Sequence, residues 1–218
     1  MNARLRPGRS RRCLQVIPAA LLGLAAGTST AWGDDDHHMR VESATFTNGG
    51  TLPLSMISTI ANASGQNSCT ADGSAGGNQS PQLSWQHAPE GTRSFVIVSY
   101  DITAQFTHWV MYNIPADTTS VPENAGVPGS SLGVQNGNDF FQPNYNGPCP
   151  PTTLMPFSHQ YQFTVYALDR MLPVVPTFGD FVPAGPEGFY QELIAASRAG
   201  HVLASASISG FFSAVAAN

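Results

Sequence analysis

Gly147-Pro148-Cys149-Pro150-Pro151, and then His159-Gln160-Tyr161-Gln162-Phe163-Thr164-Val165-Tyr166, form the centre of a stretch from Asn138 to Asp169 that decides the fold. The second run alternates polar and apolar residues and is rich in aromatic and β-branched types. That pattern predicts a half-buried strand. The first run cannot be a central strand, because its prolines fix φ and remove backbone donors. It is a rigid, irregular loop. A stiff loop feeding a strand that opens on His and Tyr can hold polar groups at a pocket mouth at little entropic cost.

Upstream, Arg93-Ser94-Phe95-Val96-Ile97-Val98-Ser99-Tyr100-Asp101 reads as an apolar strand ending on a carboxylate, and His108 to Pro115 as a second strand. Val41 to Phe46 alternates and predicts a further strand, with Gly49-Gly50 as the turn after it. Residues 63–82 are rich in Gly, Ser, Asn and Gln and form a loop that carries Cys69; Leu83-Ser84-Trp85 is a short strand. Residues 116–146 are a long, turn-rich excursion. Downstream, Phe189, Leu193, Ile194 and Ala196 have helical spacing within Glu187–Ser197, after Gly185-Pro186, and Gly200 is a natural stop. Charged residues are only 11% of the chain while Gly and Pro are plentiful, which favours a turn-rich β fold over a helical bundle.

Residues 1–33 predict an export signal. Arg4, Arg6, Arg9, Arg11 and Arg12 precede the apolar run Val16–Ala26, and Ala31-Trp32-Gly33 offers a cleavage site before Asp34. The apolar run is too short for a membrane span. Ser10-Arg11-Arg12 partly matches the twin-arginine export motif, but Cys13-Leu14-Gln15 departs from its usual continuation; ordinary secretion is the alternative. Cys13 lies too far upstream of the cleavage region to anchor a lipid. Asp34-Asp35-Asp36-His37-His38 would begin the mature chain, either as a solvated tail or as a terminal metal chelator. Removing residues 1–33 leaves Arg40, Arg93, Arg170 and Arg198, no lysine and fourteen acidic residues, a formal charge near −10. Such a domain is not expected to bind nucleic acid or an anionic membrane surface through bulk charge.

Several of these runs carry a family pattern. Ser80, Pro81, Leu83, Trp85, Gly91, Thr92, Ser94 and Phe95 lead to Asp101, and His108-Trp109 leads to Asn113-Ile114-Pro115. Gly147 to Pro151 with His159, Tyr161, Phe163 and Val165 forms a second signature, and His201 to Phe211 a third. Together they resemble the phosphatidylethanolamine-binding proteins, especially the bacterial Raf kinase inhibitor-like branch. The resemblance implies one domain over residues 41–212, after a tail at 34–40 and before a tail at 213–218. It implies a mainly β fold of two packed, mostly antiparallel sheets with a short C-terminal helix. It also implies a shallow pocket for a small anion, commonly the phosphate of a phosphoethanolamine head group, built from Asp101, His108, Gly147, Pro150, Pro151, His159 and Tyr161. Protonated His and the Tyr hydroxyl would donate to phosphate oxygens, while Asp orients an imidazole.

Cys69 and Cys149 are the two cysteines left in the mature chain, and pairing is the expected state of an exported chain; exported relatives carry a similar pair. A reactive thiol is the alternative, but it needs an electropositive setting. Two departures bear on the pocket. The family's Asp-Pro-Asp-Ala-Pro stands here as Asp101-Ile102-Thr103-Ala104-Gln105, and Gln160 occupies a position where the family often has Arg. The second would remove a positive charge near the pocket and weaken anion affinity.

Bland roles compete for other residues. Trp109, Phe163 and Tyr166 read as core, His201 as a structural histidine, and Asp169 and Asn113 as turn or backbone partners. No serine nucleophile elbow, Cys–His dyad or His-Glu-x-x-His is read, and no cofactor or metal is called for. The expected function is non-catalytic: an exported, periplasmic or secreted module binding a phosphate-bearing ligand or phospholipid head group. An inhibitor of a protease or kinase acting through its surface, and a weak hydrolase using the Asp and His residues, are the alternatives.

Overall fold

The computed structural model describes residues 38–177 and 185–215. The export segment and Asp34–His37 lie outside the described residues. The elements are β1 (Arg40–Glu42), β2 (Leu83–Gln86), β3 (Ser94–Asp101), β4 (Phe106–Pro115), β5 (Ser120–Val121), β6 (Val134–Gln135), β7 (Ser158–Leu168), α1 (Glu187–Arg198) and β8 (Val202–Ser213), with a 3-10 turn at Leu54–Met56. They form a three-stranded sheet, β1-β2-β5, and a five-stranded sheet, β6-β4-β3-β7-β8, with every strand pair antiparallel. No helix among the described residues is long and apolar enough to cross a membrane.

The strand sequences explain the layers. β3 reads as a continuous apolar run because both of its faces are covered. Phe95 and Ile97 point into the core between the sheets, with Trp85, Trp109, Phe163 and Val165. Val96 and Val98 point the other way, where Val110 and Tyr112 meet Phe189, Leu193 and Ala196 of α1. The helical spacing of the last three is thus the stripe that docks α1 on the large sheet. Aromatic pairs fix the inner seam, with Trp85 and Phe95 centroids 5.1 Å apart and Phe46 and Phe163 5.4 Å apart. Full burial of such a side chain contributes about 1.5–3 kcal/mol. Gly200, at φ +78°, ends α1 as its sequence position predicts.

Three expectations shift. The Val41–Phe46 strand stops at Glu42, because side chains take over the pairing: Ser43 Oγ donates to the Gln82 carbonyl at 2.6 Å and the Ala44 N–H donates to Gln82 Oε1 at 2.7 Å. At the other edge, Met39 is buried and Arg40 already lies in β1, so order begins ahead of residue 41. The excursion at 116–146 contributes two-residue strands, β5 and β6, that are too short to show a period. Tyr166, read as core, is only half-buried, packed against the α1 core.

Candidate functional site

The register of the large sheet brings the distant residues together. Asp101, the last residue of β3, pairs with Tyr161 of β7 on one side and Phe106 of β4 on the other. His108 lies two residues along β4 from Phe106, and His159 two along β7 from Tyr161; two-residue spacing keeps each pair on one face. These side chains line a cavity of about 230 Å³, with Pro150, Pro151 and Cys149 on a second wall. The altered segment after Asp101 leaves the cavity open. It folds as a four-residue hairpin loop, Ile102–Gln105, in which the Ala104 N–H donates to Asp101 Oδ1 at 2.9 Å and Gln105 takes φ +56°.

Both histidines are anchored through Nδ1. His159 Nδ1 lies 2.6 Å from Asp101 Oδ2, and His108 Nδ1 lies 2.7 Å from the Asn146 carbonyl. A carboxylate and a carbonyl only accept, so each Nδ1 carries a hydrogen. That leaves Nε2 as the other polar atom of each ring. Asp101, His108, His159 and Tyr161 are 1–5% exposed, so a ligand reaches them only by way of the cavity. Burial pushes the His108 imidazole below its ordinary range, against the raising pull of the Asn146 carbonyl, of Asp101 and Asp139, and of the Gly147 carbonyl. Burial thus favours the neutral imidazole while the cavity is empty, and the protonated donor expected from sequence calls for an anion to offset the cost of its charge. Burial first, and then the Asp101 charge, pushes the Tyr161 phenol up, so it keeps its proton. Its hydroxyl is buried and closes no well-formed hydrogen bond, although the Asp101 carboxylate lies near enough to hold its proton more tightly. An under-satisfied buried hydroxyl is costly, and a ligand atom in the cavity would complete it.

The rigid loop is held by contacts that sequence alone does not reveal. Asn138 Nδ2 has the carbonyls of His108 and Asn144 and Asn146 Oδ1 within hydrogen-bond reach of its two hydrogens, while Asn138 Oδ1 accepts from the N–H groups of Phe140 and Gln142. Phe140 packs on His108 and Phe106, with centroids 5.6 and 4.8 Å away. Asn138, Asn146, Phe106 and Phe140 were not among the expected site residues; the only sequence signal was the turn-forming run Asn136-Gly137-Asn138-Asp139. Cys69 and Cys149 are joined in a disulfide with Cα atoms 4.5 Å apart, and Cys149 is part of the cavity wall.

Two expected roles change. Gly147 is not part of the cavity lining, though its backbone carbonyl lies beside the His108 ring and favours the imidazolium. It is a close-approach glycine: a Cβ there would fall 2.0 Å from the Met56 carbonyl oxygen, and its N–H donates to Asn78 Oδ1 at 2.7 Å. Gln160 is on the face of β7 opposite His159 and Tyr161, where its amide reaches Ser209 Oγ at 3.1 Å. A cation at 160 would not point into this cavity. His201 lies outside it and pairs with Asp169 at 3.0 Å; Asn113 holds the backbone of Leu172 through both amide atoms.

A serine spacing also escaped the sequence reading: Gly129-Ser130-Ser131-Leu132-Gly133 has Gly-x-Ser-x-Gly form. It sits in the loop before β6, with no strand-to-helix turn and with Ser131 exposed, so it is not a nucleophile elbow. Among the described residues, no group of three or more His, Cys, Asp or Glu side chains could hold a metal ion.

The profile of the phosphatidylethanolamine-binding protein family matches residues 42–213. The chain belongs to this family. The UPF0098 protein YbcL of Escherichia coli is 44% identical over 104 residues, which are 44% of this chain and 56% of that protein. A UPF0098 protein of Methanothermobacter thermautotrophicus is 37% identical over 144 residues, covering 63% of this chain and 84% of its own length. The chain thus spans little over half of YbcL in that alignment. The crystal structure of E. coli YbcL, described as a new member of the mammalian family, aligns with a TM-score of 0.62 at 28% identity, over 81% of this chain and 98% of that one. A homologue from Chlamydia trachomatis shares the fold, with a TM-score of 0.58 at 22% identity over 81% of this chain and 97% of its own.

Proposed function

We propose that this family member is an exported, non-catalytic binding module whose cavity takes a small oxyanion of the phosphate class, as a free ion or as a phospholipid head group. The observation that carries the reading is the convergence on one cavity of two pre-oriented imidazoles and the buried, under-satisfied Tyr161 hydroxyl. Anchoring at Nδ1 fixes each ring before a ligand arrives, which lowers the cost of binding. Export is supported by the sequence of residues 1–33 and by the Cys69–Cys149 disulfide, a bond that persists in oxidising compartments.

Calorimetric titration of the oxidised protein with phosphoethanolamine and with inorganic phosphate at about pH 5, where the phosphate of each is mostly singly charged, tests the reading, with His108→Ala/His159→Ala alongside. Saturable binding that is lost in a variant with unchanged circular dichroism supports it. Binding of phosphoethanolamine alone would identify a head group as the ligand; equal binding of both would point to free phosphate. Absence of binding to the unaltered protein would sink the reading and leave a protein partner as the alternative. Release of phosphate from phosphoethanolamine, abolished in the variant, would make the site hydrolytic.

A further inference from the structure

We propose that the cavity takes up a singly charged oxyanion, of the phosphodiester or carboxylate kind, together with one proton that settles on His108 Nε2. The inference rests on the anion-binding reading above and adds the ligand's charge and its coupling to pH.

The cavity carries no fixed cation. Its ionisable lining residues are Asp101, His108, His159 and Tyr161, and neither arginine nor lysine is among them. Asp101 is matched to His159 at 2.6 Å, so that pair contributes at most zero net charge, and a negative one if the imidazole is neutral. Tyr161 supplies a neutral donor. His108 is the remaining group, and its geometry decides what an anion meets. Its Nδ1–H is spent on the Asn146 carbonyl, so in the neutral ring Nε2 is a bare lone pair. A lone pair repels an oxyanion. Adding a proton turns the same atom into a charge-assisted donor and offsets one negative charge in a water-poor site.

The groups around His108 allow that change. Asp101 at the end of β3 and Asp139 in the loop after β6 both favour the imidazolium, while burial opposes it. Tyr161 of β7 and Phe140 meet the ring edge to face, with centroids 5.3 and 5.6 Å away; Phe106 is tilted against it at 5.3 Å. The ring is therefore held between aromatic walls while its charge changes. A second negative charge on the ligand would find no counterpart, because the lining offers no further positive group. Size fits as well, since about 230 Å³ accommodates one small head group.

The test uses two anions whose charge is constant from about pH 5 to about pH 8: dimethyl phosphate, singly charged, and sulfate, doubly charged. Calorimetry of the oxidised full chain in buffers of unlike ionisation enthalpy counts the protons. The expected result is uptake approaching one proton per dimethyl phosphate near neutral pH. Affinity should rise by up to about tenfold for each pH unit lowered, then level off below the free-state value of His108. Sulfate should bind at least about tenfold more weakly, the cost of a partly uncompensated charge. His108→Gln, which keeps amide polarity but cannot take the proton, should lose the pH dependence.

Binding without proton uptake would overturn the proposal while leaving the anion-binding reading intact. So would uptake that persists in His108→Gln, or sulfate binding as tight as dimethyl phosphate. No binding of either anion at any pH would overturn both. If His108→Gln fails to fold, the proton count on the unaltered protein and the ¹⁵N shifts of the His108 ring with and without dimethyl phosphate decide the matter alone.

Discussion

His108 and Tyr161 show how a single atom's surroundings separate a binding role from a packing one. The Tyr161 hydroxyl closes no well-formed hydrogen bond in the free protein, so its removal should cost folding little. Tyr161→Phe should therefore leave the urea unfolding midpoint unchanged or slightly raised, while anion affinity falls about 5- to 20-fold, as for a lost hydrogen bond to a charged group. A fall in stability with no change in affinity would make the hydroxyl structural. His108 gives a second prediction, with a definite sign. Burial holds its folded value below that of the unfolded chain, about 6.5. As pH falls through the unfolded value, the unfolded chain takes the proton first, so the unfolded state gains. Stability is thus complete above about pH 7, declines on acidification and levels off once the folded protein protonates too. Urea midpoints between about pH 7.5 and about pH 5 should decline accordingly, and His108→Gln should flatten that part of the slope. Legibility at this scale was partial. Asp101, His108, His159 and Tyr161 were readable from the motif, but the charge of His108 was not, because burial and the Asn146 carbonyl set it, and neither is a property of the His108 neighbourhood in sequence.

Among the elements, β3 and β7 define the site and the loop at 145–151 shapes it. The strands were readable because period-two and apolar runs are local signals. Their register was not: Asp101 opposite Tyr161 is a pairing across 60 residues, fixed by which faces the two cores cover. The loop is strapped down by long-range contacts. The Ser58 N–H donates to the Pro148 carbonyl at 3.1 Å, and the Tyr145 hydroxyl donates to the Met56 carbonyl at 3.1 Å. Gly147 is the point of closest approach, so Gly147→Ala should force the loop away from Met56 and cost about 2–3 kcal/mol in urea unfolding. An unchanged midpoint would mean that the segments separate freely. The glycine itself was legible as part of a motif; its reason was not, because Met56 is some ninety residues away in sequence. The Asn138 hub was hidden for the same reason, since an asparagine in a turn-rich run reads first as a turn former.

For the molecule as a whole, the disulfide and the sheet topology decide stability together. Cys69 and Cys149 are 80 residues apart, and closing a loop of that length restricts the unfolded chain by about 4–5 kcal/mol on loop-entropy grounds. Cys69→Ser/Cys149→Ser should lower the unfolding free energy by an amount of that order. It should also weaken anion binding, because Cys149 belongs to the cavity wall. Retained affinity at reduced stability would show that the wall stands without the bond. By itself the sequence determined the family, the mainly β architecture, the α1 stripe and the residue types that converge, because each is written in local periodicity or in an ordered motif. Only the tertiary structure decided that Gly147 is a point of close packing, that Gln160 points away, that the altered hairpin after Asp101 keeps the cavity open, and that burial works against a charge on His108. Each of those depends on which distant atoms a fold brings within a few ångströms, and burial and through-space contact have no signature along the chain.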